Sequence, residues 1–178
     1  MTATAATQLI SPITSRDHIR GPASAAVTLV EYGDYACTDC NEARLVVKQL
    51  HAVLRDRLRF VFRNYPMLTL HSNPHRAAEA AEAAGMQNKF WEMHDILYDH
   101  QTALSDKHLK AYATQVGLDM ERFNRDMLLH TYVFRVAEDI LSASQSGVSA
   151  TPAFFINGSW HSGPCDLETL LSQLEEAT

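Results

Sequence analysis

The sequence is poor in cysteine, in long apolar runs and in clustered positive charge, and each shortage excludes a class of protein. Three cysteines in 178 residues are too few, and odd in number, for a small secreted fold built on disulfides. No apolar stretch reaches about 18 residues, so no segment is predicted to span a bilayer. With 15 Lys and Arg against 21 Asp and Glu and no basic run, the chain is a poor candidate for binding nucleic acid or an anionic membrane surface.

Other familiar patterns are also missing. Residues 1–20 contain no basic cluster followed by an apolar core, so no signal peptide is seen. The chain as written therefore predicts a cytoplasmic protein, and the periplasm is the alternative if a signal peptide has been removed. No glycine-rich phosphate loop, Ser–His–Asp signature or pair of catalytic carboxylates is evident, and no cofactor is predicted.

The length predicts a single domain, at roughly 150 residues per domain. The alternation of strand and helix patterns predicts that this domain is α/β. Residues 1–22 are rich in Thr, Ala and Ser without a period, and predict an extended N-terminal arm. Residues 23–66 and 147–178 predict a core sheet of about four strands. Residues 67–146 show helical patterns only and predict a helical insertion within that core.

The core prediction depends on apolar periodicity. Residues 26–32 form a near-continuous apolar run typical of a strand covered on both faces. A helical period follows Cys37, and residues 58–63 predict the next strand, which together make a βαβ unit. After the insertion, residues 153–156 and 159–161 predict two strands joined at Asn157-Gly158, a strong hairpin signal.

The pair Cys37-Thr38-Asp39-Cys40 lies where the buried strand passes into the helix. The first turn of a helix carries unpaired N–H groups and partial positive charge, which stabilise a thiolate. Residues three apart share one helix face, so the two sulfurs can meet. We expect Cys37 to be the exposed attacking thiol and Cys40 to resolve the mixed disulfide.

Two other interpretations of the cysteine pair are open. A purely structural bond would close only a four-residue loop and stabilise the fold by about 2 kcal/mol. A zinc site needs two further ligands, and none stands at a convincing spacing. A redox role explains the spacing better, and no metal site is predicted.

Thr151-Pro152 begins the third predicted strand, where proline is tolerated. It is either a plain loop boundary or a cis peptide that presents the Thr151 backbone to an extended substrate.

The segments VEYGDYACTDC and GVSATPAFFINGSW together resemble the thioredoxin superfamily. The helical block between them, with RNYPMLTLH and AAEAAGMQNKFWEMHDILYDHQ, resembles the DsbA-like branch, and the likeness runs from about residue 17 to the end. This resemblance implies a thioredoxin-like fold with an inserted helical subdomain. It implies thiol–disulfide exchange with protein or peptide cysteines.

The resemblance also assigns residue roles. It implies Cys37 as nucleophile, Cys40 as resolving cysteine and Thr151-Pro152 as a cis-proline substrate site facing them. It suggests Glu31, six residues before Cys37, as a buried proton acceptor for the resolving thiol. The alternative for Glu31 is an ordinary, satisfied strand residue.

The sequence departs from the family between the cysteines. Thr38 and Asp39 replace the usual proline and the usual aromatic or histidine. The negative charge of Asp39 should disfavour the Cys37 thiolate and offset part of the helix-end effect. We therefore expect a couple less oxidising than a typical DsbA-type oxidant.

Cys165 is the remaining thiol. The chain order predicts that it lies near the Cys37 end of the molecule. It is either a small, partly buried residue or an auxiliary thiol that can be glutathionylated or can pair between molecules.

Two rival functions share this fold. A glutathione-dependent transferase or isomerase would use a single hydroxyl or thiol to hold the glutathione sulfur. The second cysteine at a three-residue spacing argues against this function. A non-catalytic binding module would keep the fold only to hold a partner.

Overall fold

A five-stranded mixed sheet carries both halves of the core. The structure is a computed structural model that describes residues 8–67 and 74–178. The strands are β1 (His18–Arg20), β2 (Val27–Gly33), β3 (Leu58–Asn64), β4 (Ala153–Ile156) and β5 (Ser159–Trp160). Their order across the sheet is β1-β3-β2-β4-β5, in which β2 and β3 are parallel and the other pairs antiparallel.

The predicted βαβ unit is present. Helix α1 (Thr38–Leu54) connects β2 to β3, and its buried apolar side chains recur every three or four residues. β2 is buried along nearly its whole length, as expected for a central strand covered on both faces. A short 3₁₀ turn, Arg55–Arg57, leads directly into β3.

The predicted insertion is helical where the structure describes it. Five helices lie between β3 and β4, and a final helix follows β5. They are α2 (Pro74–Gly85), α3 (Phe90–Asp99), α4 (Asp106–Gln115), α5 (Met120–Leu128), α6 (Val133–Gln145) and α7 (Leu167–Glu176). The predicted insertion begins at residue 67, but residues 68–73 lie outside the described part.

The sheet has five strands rather than about four, because the predicted arm contributes one. β1 pairs antiparallel with β3, and Gln8 forms an isolated bridge with Ser159. The first seven residues of the predicted arm lie outside the described residues. A three-residue edge strand is too short to show a period, so the pattern of the sequence could not reveal it.

A buried ion pair fixes this arm to the sheet. Arg63 of β3 donates from Nε to Asp17 Oδ1 at 2.7 Å and from Nη2 to Asp17 Oδ2 at 3.2 Å. The same guanidinium donates to the carbonyls of Ser11 and Pro12 and to the Tyr32 hydroxyl. All three nitrogens of the Arg63 guanidinium donate to acceptors. These hydrogen bonds offset the free-energy cost of removing the cation from water.

We expect Asp17→Ala to lower the free energy of unfolding by about 3 kcal/mol, because it leaves the buried Arg63 uncompensated. The control is Arg16→Ala, which removes an exposed pair with Glu138 and should cost about 1 kcal/mol or less. Urea denaturation measures both. Equal losses would contradict a special contribution from the buried pair.

Candidate active site

The turn between β2 and α1 places Cys37 at the start of the helix. Cys37 is the N-cap residue of α1, with extended backbone, and its Sγ accepts a hydrogen bond from the Cys40 N–H at 3.4 Å. Asp34 shapes the turn, because its side chain accepts from the Ala36 N–H and its carbonyl accepts from the Cys37 N–H. The helix-end N–H groups therefore point at the sulfur.

The helical insertion braces this turn from outside. Gln101, just beyond α3, donates from Nε2 to the carbonyl of Tyr35 at 2.9 Å and to that of Cys37 at 2.7 Å. Sequence reasoning missed Gln101, since no local pattern marks a residue that acts 64 positions away. The role of Asp34 could have been found, because aspartate before a tight turn favours such side-chain-to-backbone bonds.

The two thiols are more enclosed than expected. Cys40 is fully buried, and Cys37 is only 7% exposed, whereas we predicted an exposed attacking thiol. The Cys37 sulfur contacts the Thr151 carbonyl on one side and the Cys40 N–H on the other. The sulfur is still reachable, because Cys37 lines a cleft of about 430 Å³ with Thr38, Asp39, Met67, Ser149, Ala150 and Thr151.

The pair is electrostatically asymmetric. Hydrogen bonding from the Cys40 thiol lowers the pKa of Cys37 to about 6, against its partial burial and the charge of Asp34, which both raise it. Burial raises the pKa of Cys40 far above its ordinary value, with further contributions from that thiol–thiol hydrogen bond and from Glu31. Near neutral pH these shifts favour the thiolate at Cys37 over a thiolate at Cys40, and the thiolate is the nucleophilic form of cysteine.

Thr151 and Pro152 lie opposite the helix start, as predicted. The Thr151–Pro152 peptide bond is cis, and a substrate-binding role for these two residues stays a prediction. The Cys37 thiol donates to the Thr151 carbonyl at 3.5 Å. The Thr151 hydroxyl is buried without a hydrogen-bond partner among the described residues. It is available to donate to the sulfur once Cys37 ionises, and the Thr151 side chain lowers the pKa of Cys37.

Glu31 lies in the middle of β2, paired with Phe62 on one side and Phe154 on the other. The side chain is 1% exposed, and Oε1 has no hydrogen-bond partner among the described residues. Burial, followed by the negative charge on Cys37, raises the pKa of Glu31 to about 8. The role of Glu31 as a proton acceptor stays a prediction.

The hydroxyl of Tyr98, on α3, lies near the same carboxyl. Both oxygens lie next to Gly33. A Cβ atom placed on this glycine would be 3.0 Å from Glu31 Oε1 and 3.0 Å from the Tyr98 hydroxyl oxygen. Burial raises the pKa of Tyr98, and the charges of Cys40 and Glu31 add to that rise. The sequence pattern marked Tyr98 only as a core residue of its helix.

Asp39 and Cys165 share a second cleft beside the first. This cleft, of about 560 Å³, is lined by Asp39, Glu42, Ala43, Val46, Thr151, Pro152, Pro164, Cys165 and Asp166. Cys165 therefore lies near the Cys37 end of the molecule, as the chain order predicts. Burial, with the charges of Glu31, Asp166 and Asp39, raises the pKa of Cys165 to about 11, so this thiol is a weak nucleophile at neutral pH.

Thr38 and Asp39 occupy the first turn of α1 and are both exposed. The carboxylate whose charge raises the pKa of Cys37 is that of Asp34 rather than that of Asp39. The expected tuning of the couple by Asp39 stays a prediction.

No group of three or more His, Cys, Asp or Glu side chains within residues 8–67 and 74–178 is arranged to hold a metal ion. In the same residues, no helix is both long enough and apolar enough to cross a membrane.

The sheet order, the helix-capping cysteine and the inserted helices define a thioredoxin-superfamily protein with a DsbA-like oxidoreductase fold. A family model described as Thioredoxin matches residues 14–176. The chain belongs to this thioredoxin family.

Solved structures support the fold. The chain is similar to a thioredoxin-like oxidoreductase from Silicibacter pomeroyi DSS-3, with 27% identity, 92% and 93% of the two chains covered and a TM-score of 0.81. It is also similar to the thiol-disulfide exchange protein alpha-DsbA2 from Wolbachia pipientis, with 23% identity, 92% and 88% covered and a TM-score of 0.80.

Part of a much longer antiporter protein is similar in sequence to this chain. The Na(+)/H(+) antiporter NhaA 1 of Salinispora arenicola (strain CNS-205) is 43% identical over 162 residues, covering 91% of this chain and 25% of the antiporter. The chain spans about a quarter of the length of the curated relatives it matches.

We expect the Cys37 thiolate to form with a midpoint near pH 6, as measured by the ultraviolet absorbance of the reduced protein. Cys40→Ala should move this midpoint upward, because it removes the donated thiol hydrogen bond. Cys165→Ala is the matched control and should leave the midpoint where it is. A midpoint close to the ordinary cysteine value in the unmodified protein would contradict the electrostatic asymmetry.

We expect Glu31→Gln to stabilise the fold at neutral pH. The pKa of Glu31 rises from 4.5 to about 8 on folding, so its stabilising contribution is complete below the unfolded value and is lost as pH rises through the folded one. At pH 7 the Glu31 carboxyl therefore lowers the free energy of unfolding by about 3 kcal/mol relative to acid pH, at ~1.4 kcal/mol per pKa unit.

The measurement is the free energy of unfolding of the reduced protein between pH 5 and pH 8, approximately the interval between the two values. Glu31→Gln should make the fall in the free energy of unfolding with rising pH shallower, whereas the exposed control Glu168→Gln should leave that fall unchanged. Parallel profiles for all three proteins would show that the Glu31 carboxyl is not held protonated by the fold.

Proposed function

We propose that the protein is a thiol–disulfide oxidoreductase that exchanges disulfides with cysteines of proteins or peptides. The observation that carries the proposal is the helix-capping Cys37 Sγ, which accepts from the Cys40 N–H and has its pKa lowered to about 6 beside an open cleft. A structural disulfide would need neither a stabilised thiolate nor access to it.

In the reducing direction, the Cys37 thiolate attacks one sulfur of a substrate disulfide. The new Cys37–substrate bond forms as the substrate S–S bond breaks, and the other substrate sulfur leaves as a thiolate that takes a proton from water. Forming the mixed disulfide removes the negative charge from Cys37. Burial still raises the pKa of Cys40, but the smaller contribution from the charge of Cys37 is removed.

Cys40 then completes the exchange. Its thiol loses a proton, and the resulting thiolate attacks Cys37 Sγ, so that the Cys37–Cys40 bond forms and the second substrate thiol is released. Two electrons pass from the protein dithiol to the substrate. In the oxidising direction every step is reversed.

Glu31 is the proposed proton acceptor for Cys40. The pKa of Cys40 responds to the charge of Glu31. The pKa of Glu31 is about 8 beside a charged Cys37, and the contribution of that charge is lost in the mixed disulfide, which favours the ionised carboxylate that can accept a proton. A group with such a pKa can both take up and return a proton, as a reversible exchange requires.

The test is the reduction of insulin by dithiothreitol with the whole chain as catalyst. We expect the unmodified protein to accelerate the reaction and Cys37→Ser to abolish the acceleration, because the attacking sulfur is gone. Cys40→Ser should instead accumulate a mixed disulfide, visible as an added substrate mass, because the resolving sulfur is gone.

Each rival function has its own outcome in the same material. No acceleration by the unmodified protein would favour a binding module. Saturable glutathione binding without a reversible Cys37–Cys40 bond would favour a glutathione-dependent enzyme.

A further inference from the structure

The two clefts beside Cys37 form one groove. Asp39 and Thr151 line both of them, so the clefts adjoin along the line that joins the helix start to the Thr151 loop. Cys37 lies in the smaller cleft. A polypeptide that presents a sulfur to Cys37 therefore has room to continue into the larger cleft.

The larger cleft has a distinct chemistry. Three carboxylates line it, from Asp39, Glu42 and Asp166, and no Lys, Arg or His among the described residues lines either cleft. Within residues 8–67 and 74–178 none of the three carboxylates forms an ion pair, in contrast to Asp95 and Asp99, which pair with Arg44. Asp166 also caps α7, because its side chain accepts from the Thr169 N–H. Among the described residues, Asp39 and Glu42 form neither a side-chain hydrogen bond nor an ion pair, and like charges without a counter-ion repel one another.

The rest of the cleft is apolar. Ala43, Val46 and Pro152 line it together with the carboxylates. An apolar wall beside an acidic one suits a lysine or arginine side chain, which lays its methylene stem on apolar surface and keeps its charged end beside carboxylates. A phosphorylated or acidic segment would meet only repulsion here.

The position of the cleft sets where that basic residue falls in the substrate. The acidic cleft begins at Asp39 and Thr151, which also border the Cys37 cleft. Because an extended chain advances about 3.3 Å per residue, a side chain within roughly three residues of the substrate cysteine reaches the acidic cleft.

We propose that the groove selects substrates whose reactive cysteine has a lysine or arginine within a few residues on one side. The inference rests on the proposed function, since it names the polypeptides on which that chemistry acts. The carboxylates of Asp39, Glu42 and Asp166 recognise the basic side chain, and Cys37 reacts with the neighbouring sulfur.

The test compares two cyclic peptides, each closed by one disulfide and identical except for Lys or Glu at the second residue from each cysteine. The reduced protein is mixed with each peptide, and the second-order rate of peptide reduction is measured by quenching and chromatography. Dividing each rate by that of dithiothreitol on the same peptide removes the effect of the charge on the peptide sulfur itself.

We expect the normalised rate to be at least about fivefold higher for the Lys peptide at low ionic strength, which is the effect of one charge pair at contact in water. In about 0.5 M salt the preference should approach unity, because the charges are screened.

The double variant Glu42→Gln/Asp166→Asn should reduce the preference to less than about twofold, while asparagine still caps α7. The matched control is Glu138→Gln, which removes an exposed carboxylate on α6 away from the groove and should keep the full preference.

Each outcome bears on one statement. Equal normalised rates for the two peptides would overturn the selection while leaving the exchange chemistry intact. A preference that survives in the double variant would also overturn it, because other residues would be responsible. Reduction of neither peptide would instead overturn the proposed function.

Discussion

The proposed chemistry depends on one local arrangement, in which the thiol and the backbone N–H of Cys40 both donate to the Cys37 sulfur. It forms because β2 ends at Gly33 and α1 begins at Thr38, which leaves Cys37 as the helix cap. The cap position gives the sulfur the unpaired donors of the first turn. The neighbouring Cys40 thiol adds a second donor, and the pKa of Cys37 falls to about 6.

The same local structure separates three neighbouring acids by their surroundings. Burial raises the pKa of Glu31 and of Cys40, whereas hydrogen bonding lowers that of Cys37. Groups whose environments push their pKa values apart are suited to opposite roles in proton transfer. The central strand makes this possible, because it holds Glu31 between two apolar neighbours, Phe62 and Phe154.

Much of this was predictable from local sequence, and the rest was not, for physical reasons. Apolar runs and helical periods predicted β2, α1 and β3, and the backbone of Asn157 and Gly158, both at positive φ, confirms the predicted hairpin. The edge strand β1 depends on the buried pair of Arg63 and Asp17, which are 46 residues apart. The contact of the Cys37 thiol with the Thr151 carbonyl is likewise a tertiary effect, since the two residues are 114 positions apart. So is the acidic cleft, whose carboxylates come from α1 and from the end of the chain before α7.

The wide separation of Cys37 and Thr151 along the chain has a consequence for biogenesis. The two residues are 114 positions apart, and they meet only when β4 pairs with β2 after the whole helical insertion has been accommodated. Closing so long a loop comes late for a growing or unfolding polypeptide. A chain in which β4 has not yet paired with β2 therefore lacks the contribution of Thr151 to the lowered pKa of Cys37, whereas the contribution of Cys40 depends only on the start of α1. The full acidity of the sulfur is reached only in the finished molecule.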